Sequence, residues 1–549
     1  MKERIIAVVT LLFVFSSLLA YFFVNDYGWM PDTGRSWVEK CCMIIFCMLI
    51  MGFIAVLEWD FMLLDARDYA NLNILPIRTS TIFTAKFASL CLFVGLFALS
   101  IHSLSTLIFV TYLPHWQSSN AFFMIAFALA HIISMFLACF FAFFFFILLI
   151  SMLMAVLGYR LFKRVSTYIR SFFLVVHILF FFVYIRITLY GFDKFEPLLK
   201  LKENHYDLHN LPLFFPPLWF TDLYETLIGN PHLPFHGTLY YALIGLVSMV
   251  VIFYLTTNLG YRRYLIKMDS TRRKRTHLKR MRKFFPHIFH MAFLRNPVQR
   301  AVFHFYRNSV YASTFHKMRL ASFVAFGIGM IPFQIAMKKL IPGDLTGVNR
   351  TMLSLSFILM VFYLIGLRGV INMPISLDAN WIFKLTEHKK IHHYFTGLKK
   401  GIFFINLLPL FIIFFIFYSF LWGWIIAIYH CLYVLALSVL VMEVFFISYN
   451  KIPFACSYLP GKEKMQFLWV VYLFLYLAFI NLMSWIELEI LKTPSYIIIF
   501  YAISCLIILG IRFFQLFFFY KNKGIKYEEV LDPVMVGLDY EMPLYKKIN

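Results

Sequence analysis

The segment from Glu58 to Lys86, EWDFMLLDARDYANLNILPIRTSTIFTAK, is a polar interruption in a sequence that is otherwise almost continuously apolar. It begins where one long apolar stretch ends and it stops where the next one begins. Charged side chains crowd its first third, Leu75-Pro76-Ile77-Arg78 breaks it, and a helix can restart at Thr79 with a hydroxyl cap. A charged segment of this kind cannot lie in lipid. We therefore predict that residues 58–86 form a water-exposed hairpin between two membrane helices.

The composition indicates that the whole chain, and not only this region, belongs to a membrane protein. Of its 549 residues, 62% are hydrophobic and only 14% are charged, whereas a soluble domain is about a quarter charged. A soluble fold of this length could not bury so much apolar surface. We therefore predict an all-α polytopic membrane protein.

Apolar stretches long enough to cross about 30 Å of hydrocarbon recur along the chain, and we predict about twelve transmembrane helices. Their approximate positions are residues 5–24, 38–57, 87–112, 121–157, 171–190, 238–259, 319–337, 351–369, 401–421, 424–449, 466–486 and 495–519. The stretch 121–157 is too long for one straight span. The tight break at Trp422-Gly423-Trp424 leaves open whether two helices or one kinked helix lie there.

The basic residues predict the orientation. If both termini are cytoplasmic, 40 of the 50 lysine and arginine residues fall in inner segments, as the positive-inside rule requires. The same rule accounts for the net charge of +23, so we predict no nucleic-acid partner. The expected contact of the basic residues is with the headgroups of the lipid bilayer.

The predicted spans divide into two halves of six. Residues 1–260 would form the first half, which includes the hairpin 58–86 and a long outer loop at 191–237. Residues 261–318 would form a basic cytoplasmic linker that ends in a helix lying in the membrane interface. Residues 319–519 would form the second half and residues 520–549 a cytoplasmic tail. Residues 370–400 join two spans at the position that 58–86 occupies in the first half, which we interpret as a repeat of layout.

The chain contains residues of the types used in catalysis and metal binding. It shows no recognisable motif of a nucleotide-hydrolysing or hydrolytic enzyme. Its eight cysteines form no C-x-x-C pair, so we expect neither a disulfide framework nor a zinc site. Glu387-His388 and His392-His393 have a spacing that zinc could use, but a solvated interface helix explains them as well. We predict no metal and no cofactor bound by this chain.

Ionisable residues inside membrane spans are candidate functional residues. Arg368 and Glu443 are both predicted near the cytoplasmic ends of their spans, and we predict that they form a buried ion pair. Four histidines stand alone on apolar helices, where core packing with one hydrogen bond is the simplest interpretation: His102, His131, His177 and His430.

Three short motifs resemble permease subunits of the ABC-2 type. The segment Leu75-Pro76-Ile77-Arg78, followed by Ile82-Phe83 and Ala85-Lys86, is similar to the cytoplasmic coupling helix between spans two and three of that family. Residues 379–387, ANWIFKLTE, and residues 451–462, KIPFACSYLPGK, resemble two signatures of a large two-half branch of such permeases in bacteria. The motifs cover a small part of the chain, whereas the similarity of layout covers most of it.

The resemblance implies a multi-pass transport subunit of an ATP-driven exporter in the bacterial inner (plasma) membrane, without enzymatic activity of its own. ATP would be bound by a separate ABC ATPase subunit, expected as a dimer. A second permease chain is a further partner that the resemblance leaves open. The residues that would couple the permease to its ATPase are Asp65, Arg67, Asp68, Leu75, Pro76 and Arg78 in the first hairpin and Asn380, Trp381, Lys384 and Glu387 in the second.

Two alternatives stay open at this point. One is a secondary transporter with twelve spans that needs no ATPase and would use paired charges or broken helices near mid-membrane. The other is a membrane-embedded transferase that modifies lipids. Its catalytic groups would have to come from the acidic residues of the outer loop: Asp193, Glu196, Asp207 and Asp222.

Overall fold

The computed structural model describes residues 2–25, 36–58, 79–112, 121–189, 215–229, 238–253, 292–337, 347–374, 391–447, 449–455, 465–493 and 495–519, together with Phe383, Leu385 and Ile525. All regular elements in these residues are helices, which confirms the predicted all-α fold. Eight helical segments in the described part are long and apolar enough to cross a membrane. The chain is therefore a multi-pass membrane protein.

The helices follow one another along the chain with these bounds: α1 Lys2–Asn25, α2 Ser36–Leu57, α3 Thr79–Tyr112, α4 Ala121–Leu189, α5 Pro216–Ile228, α6 Leu239–Phe253, α7 Pro297–Ala312, α8 Thr314–Met337, α9 Arg350–Ile371, α10 His392–Trp422, α11 Trp424–Phe445, α12 Met465–Lys492 and α13 Ser495–Phe514. Helix α10 passes through a π-helical turn, Phe403–Leu407, and α13 continues into another, Gln515–Phe519.

The eight candidate spans lie in α2, α3, α9, α10, α11 and α13 and in two parts of α4. The remaining predicted spans, 5–24, 238–259, 319–337 and 466–486, fall on α1, α6, α8 and α12, which are not among those eight. The number of twelve spans and the cytoplasmic position of both termini therefore stay predictions.

Helix α4 is helical along its whole length, yet it turns back on itself. The ring centroid of Phe146 lies 5.6 Å from that of Phe173 and 5.0 Å from that of His177. A straight helix, rising 1.5 Å per residue, would separate Phe146 from His177 by about 46 Å. The two apolar arms of α4, Ala121–Met154 and Val165–Ile185, therefore pack side by side, as expected for two separate spans.

The chain divides into two compact units. Unit 1 comprises residues 1–278 and 328–339, and unit 2 comprises residues 279–327 and 340–549. In unit 1, α2 packs against α4 and α5, and α1 packs against α3. Arg170 of α4 donates hydrogen bonds to the carbonyls of Val56, at 2.8 Å, and Leu57. These carbonyls lie in the last turn of α2, where Arg170 supplies donors and fixes α4 against α2.

In unit 2, α9 is the central helix, because most of its length is buried and it packs against both α11 and α12. Its first turn is capped by Asn349, whose side-chain oxygen accepts hydrogen bonds from the N–H groups of Thr351 and Met352, both at 3.0 Å. Such a cap satisfies backbone donors that the helix itself cannot pair.

Helices α10 and α11 are joined by one residue, Gly423, whose φ of +80° favours glycine. Across this joint the ring centroids of Tyr418 and His430 lie only 4.5 Å apart, whereas a straight helix would separate these residues by about 18 Å. The chain therefore forms two antiparallel helices here, and the alternative of one kinked helix is excluded.

Candidate functional site in unit 2

The described residues of the two later motifs, 379–387 and 451–462, meet beside α7. Phe383 of the first motif and Phe454 of the second both contact Phe305 of α7, with ring centroids 5.4 Å and 6.0 Å from it. The ring of Phe454 also lies 5.9 Å from that of Tyr306 and 5.4 Å from that of His316. We call these five residues the aromatic cluster. It brings together two segments that are far apart in the sequence.

A small apolar core extends this contact. Ile452 and Ala455, on either side of Phe454, are buried together with Ile525. Phe383, Ile391 and Tyr394 pack against these three residues. Phe383, Ile391 and Tyr394 of the second predicted coupling segment thereby pack against the 451–455 stretch.

Phe454 has an unusual backbone conformation. Its φ is +61°, in the left-handed region where a bulky side chain is strained by roughly 1–2 kcal/mol. Its side chain is 1% exposed, and its N–H donates to the carbonyl of Ile371, at the end of α9, at 2.9 Å. Burial of the ring and this hydrogen bond offset the strain and hold the second motif against α9.

Charged side chains around the buried Glu443 join α10, α11 and α13. Lys399 Nζ donates hydrogen bonds to Glu443 Oε2 and, at 2.7 Å, to Gln515 Oε1. Arg512 Nε donates to the other oxygen of Glu443 at 3.0 Å. The Glu443 side chain is fully buried, and a buried carboxylate is tolerated only when it is paired and hydrogen-bonded. We call Lys399, Glu443, Arg512 and Gln515 the Glu443 network.

The predicted Arg368–Glu443 ion pair is wrong, because Glu443 pairs with Lys399 and Arg512. Arg368 instead lies with its guanidinium over the rings of Phe446 and Tyr449, 5.7 Å and 5.8 Å from their centroids, a cation–π arrangement. Lys399 and Arg512 reach Glu443 from two neighbouring helices. Lys399 was not predicted as a partner, because its sequence position indicates an exposed coupling segment, whereas Lys399 lies in α10 and is largely buried.

Polar side chains also tie α7 to α10. Lys400 Nζ donates hydrogen bonds to the carbonyl of Phe293 and to Gln299 Oε1, both at 2.8 Å. Further along, the Tyr306 hydroxyl donates to Asn406 Oδ1 at 2.6 Å, and Asn406 Nδ2 donates to the Tyr363 hydroxyl at 2.7 Å. The predicted interfacial helix α7 is therefore fixed to α10 and, through Tyr363, to α9.

The ten residues predicted to couple the chain to an ATPase lie outside the described residues. They are Asp65, Arg67, Asp68, Leu75, Pro76, Arg78, Asn380, Trp381, Lys384 and Glu387. Of the second predicted coupling segment, 370–400, the structure describes residues 370–374, Phe383, Leu385 and residues 391–400.

In the predicted outer loop, Asp222 is the described member of the four acidic residues considered for a transferase. Its carboxylate accepts hydrogen bonds from Thr238 Oγ1 at 3.0 Å and from the N–H of Leu239 at 2.9 Å, so it caps the start of α6. Nearby on α5, Glu225 forms a buried ion pair with Lys40 at 2.6 Å. These contacts give α5 a structural role. Asp193, Glu196 and Asp207 lie outside the described residues.

The four histidines differ in their surroundings. His131 bonds to the Tyr224 hydroxyl at 2.9 Å and His177 to the carbonyl of Phe173 at 3.0 Å, each with one hydrogen bond as expected. His102 has no ring hydrogen bond in the described part of the chain. His430 contradicts the expectation, because it has two partners, Ser356 and Glu487.

Within the described residues, no three His, Cys, Asp or Glu side chains converge as metal ligands. Neither a known family, nor a curated protein, nor a solved structure matches the chain. The case for any function therefore rests on the residues and their geometry.

Proposed function

We propose that the chain is the membrane-spanning permease subunit of an ATP-driven ABC exporter of the ABC-2 type, placed in the bacterial inner membrane with both termini in the cytoplasm. It would work with a dimer of a separate ATPase subunit and bind no ATP itself. The observation that supports this proposal best is the contact of Phe383 and Phe454 with Phe305. Two motifs that resemble one permease branch in sequence also lie together in space.

The Glu443 network suggests how movement would pass into the membrane. In the proposed mechanism, ATP draws the ATPase subunits together and they push on the coupling segments 58–86 and 370–400. The second segment leads directly into α10, and Lys399 ties α10 to Glu443 of α11 and to Gln515 beyond α13. A push on the segment would therefore move three helices together and change the access to a transport path.

The proposal is tested by purifying the tagged protein from native membranes in mild detergent and identifying its partners by mass spectrometry. We expect a stoichiometric P-loop ATPase. Replacing Leu75-Pro76-Ile77-Arg78 by glycine and serine should remove the ATPase, and replacing Asn380 and Trp381 should weaken its binding. A matched control replaces Thr226 and Leu227, which are exposed on α5 of the outer loop, and should retain the partner. A protein that is isolated alone, even at low salt, would contradict the proposal.

A secondary transporter is the second candidate, because two buried carboxylates are each paired with a basic group inside apolar helices. Glu443 pairs with Lys399 and Arg512, and Glu487 pairs with His430 at 2.6 Å. Charged groups at such positions are typical of ion-coupled transport. Sealed vesicles that contain only this chain distinguish the two candidates, since uptake driven by an ion gradient without ATP and without an ATPase would favour the second.

A further inference from the structure

Three helix ends of unit 2 converge on the Glu443 network. Lys399 lies near the start of α10, Glu443 in the last turn of α11 and Arg512 in the last turn of α13. All three helices are candidate membrane spans. Because Lys399 and Arg512 both bond to Glu443, these helix ends lie at the same surface of the membrane. Lipid headgroups flank the hydrocarbon core at the ends of such spans, so charged side chains there lie within their reach.

Positive charge exceeds negative charge at this surface. Lys399 and Arg512 share the single carboxylate of Glu443. Lys400, the next residue of α10, bonds to two neutral oxygens and lies close enough to Arg512 for the two charges to repel each other. The other carboxylates in the described part of unit 2 are paired elsewhere, with His430 and Lys492: Glu487 and Glu489. Three cations therefore face one carboxylate, a surplus of two positive charges among the described residues.

Arg512 presents this charge to the surroundings of the protein. Its Nε is bonded to Glu443, but its side chain is 55% exposed, and its two Nη groups make no hydrogen bond to the described residues. Only 6% of the span to which Arg512 belongs is buried. The side chains around it in sequence are apolar and exposed: Leu509, Phe513, Phe514, Leu516 and Phe517. An anion that binds Arg512 therefore has to lie against an apolar helix surface.

We propose that Arg512 binds the phosphate of an anionic phospholipid whose acyl chains lie along α13. The guanidinium fork can donate two parallel hydrogen bonds to one phosphate group, and Nη1 and Nη2 are the groups that the described residues leave open. The charge of Lys400 adds to the attraction. The exposed rings of Phe513 and Phe517, which pack together with centroids 4.4 Å apart, provide an apolar surface for an acyl chain.

Other occupants of this surface fit less well. A zwitterionic phospholipid would bring an ammonium group to a place that already has surplus positive charge. A second copy of the chain, packed through α13 about a twofold axis, would bring a second Arg512 close to the first. The site lies apart from the ten predicted coupling residues, so the inference does not depend on the exporter assignment.

The test measures thermal unfolding of the full-length protein in an uncharged detergent with added lipid. A ligand of the folded state raises the unfolding temperature in a concentration-dependent manner. We expect phosphatidylglycerol to do so at a concentration at least tenfold lower than phosphatidylcholine with the same acyl chains. Inorganic phosphate at the same concentration should have no effect. Equal stabilisation by the two lipids, or by inorganic phosphate, would overturn the proposal.

Arg512→Gln should raise the phosphatidylglycerol concentration needed for stabilisation at least tenfold. The matched control is Arg319→Gln, which removes the same charge from an exposed position of α8 and should respond to the lipid as the unaltered protein does. An equal loss in both variants would overturn the proposal, because it would show only the general attraction of basic residues for an anionic membrane.

A second variant is needed because Arg512→Gln also weakens the Glu443 network and could fail to fold. Arg512→Lys keeps a positive charge beside Glu443 but loses the guanidinium fork. It should fold and need about threefold more phosphatidylglycerol for the same stabilisation. An unchanged response of Arg512→Lys would overturn the assignment of the phosphate to the guanidinium group.

Discussion

Phe454 combines a left-handed backbone with a buried aromatic ring, and the two properties favour different residues. The backbone favours glycine, whereas the space between Phe305, Tyr306 and His316 requires a large ring. A residue that is kept in an unfavourable conformation by its surroundings is typical of a functional region. Here the strained residue lies in one of the two signature motifs.

Two substitutions of Phe454 separate the effect of its backbone conformation from the effect of its buried ring. Both Phe454→Ala and Phe454→Gly lose the buried ring and should destabilise the protein by about 3–5 kcal/mol. Phe454→Gly should nevertheless be the more stable of the two by about 1 kcal/mol, since it relieves the positive φ. Denaturation in detergent measures both. At Phe357, a fully buried residue inside α9, the order should reverse, because glycine is the poorer helix former. The same order at both positions would argue against the strain at Phe454.

His316 gives the aromatic cluster a pH dependence. Burial lowers the pKa of His316 below its usual value of 6.5, and its hydrogen bond to the Met373 carbonyl partly opposes that shift. Below pH 6.5 the unfolded chain therefore binds the proton more readily than the folded one. Stability should fall as the pH drops from about 6.5 towards the lower pKa of the folded state. His316→Gln should show a shallower loss over this range in unfolding experiments, and an unchanged slope would contradict the assignment.

At the scale of elements, the Glu443 network should behave as one unit. Glu443→Gln leaves the buried Lys399 without its carboxylate, and Lys399→Met weakens the pairing of Glu443. Each change should cost about 3–5 kcal/mol, and the double variant should cost clearly less than their sum. A double-mutant cycle of unfolding free energies measures this coupling. The exposed pair Glu489 and Lys492 is the control, with an expected coupling well under 1 kcal/mol. Additive losses at Lys399 and Glu443 would show that the two side chains do not interact.

A substitution at Gly52 tests whether the two arms of α4 pack side by side against α2. A β-carbon at this position of α2 would lie 2.5 Å from His177 Nε2 and 3.1 Å from Phe146, which belong to the two different arms of α4. Gly52→Ala should therefore force the arms apart and destabilise the protein by about 1–3 kcal/mol. Gly510→Ala is the control, since a β-carbon there meets open space and should be neutral or slightly stabilising. Equal thermal stability of the two variants would contradict the packing of α2 against both arms.

The positions of the helices could be predicted from the sequence, but the contacts between side chains of different helices could not. Apolar length located the helices, because a span must match the thickness of the bilayer. Periodicity and length carry no information on which helices become neighbours, so Glu443 was paired with Arg368 instead of Lys399. His430 was read as isolated for the same reason, since Ser356 and Glu487 are distant in the chain. The joint contact of Phe383 and Phe454 with Phe305 was not predicted either, although the motifs at 379–387 and 451–462 resemble the same permease branch.

At the scale of the whole molecule, the distribution of basic residues predicts the orientation of the chain in the membrane. Single cysteines are introduced into a cysteine-free background at Thr226, exposed on α5, and at Tyr311, exposed on α7. A membrane-impermeant maleimide should label Thr226→Cys in intact cells and Tyr311→Cys only after the membrane is permeabilised. The reverse pattern would invert the topology, and the coupling segments would then face away from any cytoplasmic ATPase.

The single-residue joint at Gly423 has a consequence for how the chain enters the membrane during synthesis. Lys399 and Glu443 lie on consecutive helices, and the cost of inserting a lone charged side chain rises towards about 3 kcal/mol at the centre of a helix. If α10 left the translocation channel alone, it would carry an uncompensated positive charge into lipid. Together with α11 it presents a neutralised pair. We therefore expect α10 to wait at the channel until α11 has been made, so that both helices enter the bilayer as one hairpin.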